Sequence, residues 1–353
     1  MSAHKPGVGV SRDALAQRGF TLIELMVGLL LSGIILFALV TLFGNNSRMR
    51  NEIDRATQQI ENGRYALDLI RDDLHLAGYY GDMVPQAGYI ASAAYVPTNA
   101  ELCDTTAATV LANLHFNLSP LQWPVPVFGI ADGDTVPTCV SSATGGKKSN
   151  TDILVVRRTS TVPTASASLV GGQIYLQGSG CNTELQQHKD FARDLGSVPG
   201  TFILQKKSCA APSDIYAFQT RIYYVSNETI PTLRVITLSG TTSTNEPLVE
   251  GVEDLRVEFG RDSVGNDGAP DEYRKCRATG VGADPCSTAE WANMMAVRVY
   301  VLARNSSVTP EYSDTKTYDV GLGGIDGAYN DGYKRHLYSM VARLMNPAGY
   351  RER

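Results

Sequence analysis

The chain has 353 residues, 43% hydrophobic and 19% charged, with a formal net charge of −5. That length admits one large domain or two small ones, and the composition excludes both a disordered polymer and a multi-span membrane protein. There is no long basic tract, so no direct nucleic-acid binding is evident, although a local patch could still bind DNA.

The first strong signal is at the N-terminus. Residues 1–19 are polar and rich in small residues, with Lys5, Arg12 and Arg18. From Phe20 to Phe43 the chain is almost wholly apolar: FTLIELMVGLLLSGIILFALVTLF. A helix of that length spans roughly 36 Å, sufficient for a bilayer core. No second stretch of this kind occurs, so a single crossing is expected. An ordinary secretory signal has a shorter apolar core followed by a small-x-small cleavage site. Here Arg18-Gly19 precedes the run instead. The basic leader is expected in the cytoplasm and the long C-terminal part outside. Arg48, Arg50 and Arg55 flank the far side, so charge asymmetry alone does not decide the orientation.

One charge, Glu24, interrupts the run. A carboxylate costs about 2.5–3.5 kcal/mol at the centre of a bilayer helix and less near the interface. Its position close to the start makes it either a tolerated interfacial charge or a functional one.

The segment Gly19-Phe20-Thr21-Leu22-Ile23-Glu24 resembles the class III leader of type IV prepilins. The resemblance implies that a membrane prepilin peptidase cuts between Gly19 and Phe20 and methylates the new terminus at Phe20. Glu24 then becomes the fifth mature residue. In a filament, where apolar helices bundle, the resemblance implies that the amine of a neighbouring subunit neutralises Glu24 and fixes the register, a known use of buried polar groups.

Beyond Phe43, Gly44-Asn45-Asn46 reads as a kink or frayed turn. A helical pattern then resumes. Met49, Ile53, Ala56, Ile60, Gly63, Leu67, Ile70, Leu74 and Ala77 recur at spacings of four and three, with charges on the other faces. Gly78 and Gly81 are the stop. The stretch from Glu61 through Tyr65 and Leu76 to Gly81 resembles the PilW family of minor pilins.

Residues 82–150 show little periodicity and read as loops, short strands and an insertion. Strand candidates follow at Asp152–Arg158, Ile174–Leu176, Phe202–Leu204, Ile215–Val225 and Leu233–Leu238, the last two as a hairpin. Leu248–Phe259 starts as a short apolar or helical turn. It then alternates, with Leu255, Val257 and Phe259 on one face and Arg256 and Glu258 on the other, the pattern of a half-buried antiparallel strand. Met294–Leu302 and Leu337–Leu344 complete the set. These C-terminal segments again resemble PilW-type proteins, and also the J-type pseudopilins of type II secretion. The fold expected is α+β and pilin-like: a long N-terminal helix packed on an antiparallel β-sheet head with a loop-rich insertion. The organisation is a leader at 1–19, an apolar helix at 20–43, its amphipathic continuation at 44–81 and an extracytoplasmic head at 82–353.

Cys103, Cys139, Cys181, Cys209, Cys276 and Cys286 all follow the apolar segment. None forms C-x-x-C or has histidine at zinc spacing, so disulfides in an oxidising compartment fit better than metal ligation. Sequence alone does not choose the connectivity. Neighbour pairing is the expectation, because each pair would staple one local excursion.

No nucleophile elbow, P-loop or H-E-x-x-H appears, and the five histidines are scattered. No enzyme and no cofactor are expected. One acidic loop, with Asp262, Asn266, Asp267 and Asp271, has oxygen ligands suited to Ca²⁺. Its spacing departs from the EF-hand, and a plain turn is the competing reading. The glycine-rich loop Asp326–Gly332 reads as a turn.

The resemblance implies a structural minor pilin that helps prime assembly at the filament tip, in support of twitching motility, adhesion or DNA uptake. Its implied partners are other minor pilins, the major pilin, a tip adhesin, the prepilin peptidase and the inner-membrane assembly platform. The implied path is inner membrane first, with the head in the periplasm, then the pilus at the cell surface. A type II secretion pseudopilin is the alternative. A membrane-anchored binding protein or enzyme, with a pocket in 85–245, is a third.

Overall fold

The computed structural model describes residues 19–83, 94–118, 121–196, 199–276 and 286–352; the leader up to Arg18 lies outside them. Two compact units are present, 1–54 and 55–353. One helix, α1 (Leu22–Leu76), supplies most of the first unit's described residues and the first element of the second.

In the first unit every large apolar side chain from Phe20 to Phe43 is exposed. An 18-residue window of this segment has a mean hydropathy of 2.7, enough by length and composition to cross a membrane. The turn expected at Gly44–Asn46 does not form; the helix runs through it. A helical glycine costs only about 1 kcal/mol, and the apolar run before it and the charged helix formers after it carry the hydrogen-bond ladder across.

In the second unit the buried face of α1 starts at Gln59 and continues through Gly63, Ala66, Leu67, Ile70 and Leu74. The expected stripe is therefore buried only in its later part, and Met49, Ile53 and Ile60 are exposed. Gly63 is required by packing: a Cβ there would lie 2.3 Å from the Tyr338 ring. Gly78 ends the helix with φ +72°, its N–H donating to the Arg157 carbonyl at 2.9 Å.

The strands run β1 Ala94–Tyr95, β2 Asn117–Leu118, β3 Leu121–Pro124, β4 Val127–Ile130, β5 Ile153–Thr159, β6 Tyr175–Gly178, β7 Phe191–Asp194 and β8 Ile215–Val225. They continue as β9 Thr232–Leu238, β10 Ser243–Glu250, β11 Val252–Arg261, β12 Glu272–Arg274, β13 Met294–Arg304, β14 Thr317–Asp319, β15 Ile325–Gly327 and β16 Arg335–Arg343. The larger sheet has the order β10-β9-β8-β5-β4, with β6 on β8 and β7 on β6; the other major sheet is β12-β11-β13-β16. Pairing in both is antiparallel. Short β1–β3 and β14–β15 sheets flank them. The main core joins α1 residues Ala66, Ile70 and Leu74 to Val155, Ile222 and Val235 of one sheet and Leu255, Val297 and Val299 of the other. A second cluster, around Tyr80, Phe116, Trp123, Phe191 and Phe218, fills the insertion with edge-to-face rings.

Three expectations about strands are corrected. Phe202–Leu204 is not a strand: it follows a short 3₁₀ turn at Pro199–Thr201, and the Gln177 side chain accepts from the Leu204 N–H at 3.0 Å, supplying the backbone with a partner outside any ladder. Leu248–Glu250 is not a helical turn but the end of β10, with the reversal at Gly251 (φ +77°). β11 is buried on both faces rather than half-buried, because the segment between β13 and β16 covers its polar side. Glu258 there accepts from the Leu322 N–H at 2.7 Å and pairs with Arg298 at 2.9 Å. Glu253 bonds the fully buried Arg335, which also holds Asp314 and Asp331.

All six cysteines are paired, as Cys103–Cys139, Cys181–Cys209 and Cys276–Cys286. Each bridge joins sequence neighbours and so closes a short loop.

One acidic residue on α1 fastens the helix to the larger sheet. Asp73, 3% exposed, pairs with Arg158 at 2.9 Å and Arg221 at 2.6 Å, and accepts the Tyr223 hydroxyl. Removing one partner of a buried pair leaves the others uncompensated. Asp73→Ala should therefore lower the unfolding free energy of the full chain in detergent by about 3–5 kcal/mol, read from the denaturant midpoint; a loss below about 1 kcal/mol would show the anchor to be dispensable.

Burial pushes the Asp254 carboxyl up to about 7, against the pull of Arg256 at 2.9 Å. In the unfolded chain the group titrates near ~3.9. Its contribution to stability is present below that value and lost as pH rises through about 7. Asp254→Asn should flatten the decline of thermal midpoint between about pH 4 and 7; an unchanged slope would remove this assignment.

Candidate functional site

Gly19, Phe20 and Thr21 precede α1 and are exposed; Phe20 retains 87% of its surface. The Gly19–Phe20 peptide therefore lies between two exposed residues outside α1.

Thr21 occupies the N-cap position of α1, and Glu24 stands three residues later. The Thr21 N–H donates to Glu24 Oε2 at 3.0 Å, the Thr21 hydroxyl donates to the same oxygen at 2.8 Å, and the Glu24 N–H approaches Thr21 Oγ1 at 3.4 Å. This is a reciprocal capping box, which satisfies end-of-helix donors that have no intrahelical partner. A carboxylate at this end also opposes the positive pole of the helix dipole. Thr21 was not singled out from the sequence, although T-x-x-E before an apolar run is the sequence signature of such a box. Hydrolysis after Gly19 would free an amine on Phe20, one residue before the cap. Cleavage would thus bring a cation and a carboxylate to the same end of an otherwise apolar segment.

The acidic loop does not gather its oxygens. Asp262 accepts from the Gly268 N–H at 2.9 Å and from Arg351 at 3.0 Å. Asp271 accepts from the Ser263 and Val264 N–H groups, both at 2.7 Å, which hold its carboxyl below the usual range. Asp267 caps the Ala269 N–H at 3.0 Å, and Asn266 takes φ +52°. These are turn roles, so the structure places Asp262, Asn266, Asp267 and Asp271 in one loop without converging them as ligands. Among the described residues no group of three or more His, Cys, Asp or Glu could hold a metal ion.

Two family models match. The prokaryotic N-terminal methylation motif covers residues 15–40, and the type IV pilus-assembly protein W model covers residues 222–346. The first contains Gly19, Phe20 and Glu24. The second runs from the end of β8 through β16 and takes in the whole β12-β11-β13-β16 sheet. No curated protein matches the chain. Among solved structures, a type IV-like pilin from Thermus thermophilus is similar at 14% identity and a TM-score of 0.29, over 57% of this chain and 80% of that one. The chain thus carries a prokaryotic N-terminal methylation motif on its apolar helix and, across its second sheet, a segment similar to the type IV pilus-assembly protein W.

Proposed function

We propose that this protein is a minor pilin: a non-catalytic subunit, processed after Gly19, that joins other pilins and helps prime filament assembly at the tip. The observation carrying this reading is an exposed Gly19–Phe20 bond at the head of the apolar segment 20–43, whose one carboxylate, Glu24, lies in the first turn of α1. In the single chain that carboxylate is held by Thr21. In a bundle of such helices the amine on Phe20 of an adjacent subunit would replace Thr21 as its principal partner. An ion pair inside an apolar bundle is favourable only where geometry and supplementary hydrogen bonds are good, so it selects one axial register.

On this reading the helix sits in the inner membrane before assembly, and the head lies in the periplasm, where the three disulfides are chemically at home. Partners would be minor and major pilins, a tip adhesin, the prepilin peptidase and the assembly platform. Motility, attachment or DNA uptake would depend on the filament rather than on chemistry in this chain.

Mass spectrometry of the N-terminal peptide from native membranes should find a chain beginning at Phe20 with one added methyl group. A chain that retains residues 1–19 would overturn the assignment. Glu24→Ala should leave cleavage intact while lowering recovery of the protein in sheared filaments by about tenfold or more, the scale of an uncompensated buried amine. Wild-type incorporation by that variant would rule out the register role.

A further inference from the structure

Beside the second half of α1, within the head unit, lies an open pocket of about 380 Å³. Arg64 comes from the helix, Lys316 from the segment before β14, and Lys334 and His336 from the start of β16. Among the described residues no carboxylate lines it, in a chain whose net charge is −5. Arg335 also reaches the wall, but its guanidinium is neutralised from behind by Glu253, Asp314 and Asp331. Arg64, Lys316 and His336 make no ion pair among the described residues. Such a grouping concentrates positive potential in a concave place, which favours an anion.

Two further features narrow the ligand. Tyr338 lines the pocket, and its hydroxyl is shielded from solvent and has no hydrogen-bond partner among the described residues; an orphaned donor of this kind costs roughly 1–3 kcal/mol and is satisfied by an arriving acceptor. The helix side of the pocket also contributes Ile60, 44% exposed, so the occupant should carry apolar as well as acidic groups. The aromatic faces, by contrast, are already in use. Tyr338 packs on Gly63 and lies 4.6 Å from the His336 ring, while Tyr312 lies under Lys334 and donates to Asp314. No open stacking platform is left for bases, which single-stranded nucleic acid would need.

We propose that this pocket receives an acidic, partly apolar peptide segment of a neighbouring pilin-like subunit, its carboxylates meeting Arg64, Lys316 and the Tyr338 hydroxyl and its apolar side chain meeting Ile60. The proposal rests on the pilin reading, which supplies such neighbours. Charge steers the encounter and the apolar contact holds it.

The test uses the full chain in detergent micelles and a fluorescent peptide of alternating leucine and glutamate. Anisotropy should show saturable binding that weakens as salt is raised. The double variant Arg64→Gln/Lys316→Gln changes two exposed side chains and should keep the wild-type melting profile while losing about tenfold or more in affinity, equivalent to ~1.4 kcal/mol. Tyr338→Phe removes only the orphaned hydroxyl and should bind about threefold more weakly, at the low end of a hydrogen bond to a charged group. Absence of peptide binding, or equal binding by the double variant, overturns the proposal. So does a labelled oligothymidylate that binds the wild type in preference to the peptide and is lost in the double variant. Cleavage after Gly19 is scored on the same preparations. If cleavage is intact and the peptide does not bind, the pocket assignment fails alone; if cleavage is absent, the pilin reading itself fails.

Discussion

The head is organised by a buried carboxylate on a helix. Asp73 sits on α1 where the helix meets the larger sheet, and Arg158, Arg221 and Tyr223 reach it from β5 and β8. Apolar contacts from Ala66, Ile70 and Leu74 supply the non-directional part of docking. They would tolerate a small rotation or slide of the helix, whereas the three polar contacts to one carboxylate would not. A buried charge pair is a weak source of net stability, but it can specify a single arrangement. Here its geometric consequence is definite: fixing the rotation of the second half of α1 determines which of its residues face the sheets and which face outward.

The same use of buried charge recurs on the far side of β11. Glu253, Asp254, Arg256 and Glu258 lie on a strand that is covered on both faces, and each has a partner. Arg335 gathers Glu253, Asp314 and Asp331 and stacks on Tyr329 at 3.7 Å. The covering segment between β13 and β16 contains little regular structure beyond the small β14–β15 hairpin. It is held by charge and hydrogen bonds more than by a hydrophobic core. The central strands β11 and β13 are thereby buried, while the edge strand β16 stays partly exposed and carries part of the cationic wall of the pocket beside α1.

The disulfides act at a different scale. Cys103–Cys139 and Cys181–Cys209 lie in the insertion before β8, where the sequence is poor in periodic apolar residues, and Cys276–Cys286 follows β12. Cross-links over these separations remove conformational freedom from the unfolded chain. The aromatic cluster of Tyr80, Phe116, Trp123 and Phe191 completes the same region.

Sequence by itself determined the features that depend on local composition and period. The apolar run from Phe20 to Phe43, the glycine stop at Gly78, and the strands at β5, β8, β9, β13 and β16 each follow from residues close together in the chain, so short-range propensity suffices. The methylation motif was readable for the same reason: Gly19, Phe20 and Glu24 stand close together in one linear string. Tertiary structure alone decided what lies opposite. That Thr21 and Glu24 cap one another, that Asp73 is a buried anchor, that β11 has two covered faces, and that Phe202–Leu204 is a coil satisfied by Gln177 all rest on partners whose geometry no periodicity encodes. Gathering Arg64, Lys316, Lys334 and His336 around one pocket requires α1, the segment before β14 and the first residues of β16 to meet. Long-range electrostatics and burial, unlike helical or strand period, are properties of the folded arrangement and not of any window of sequence.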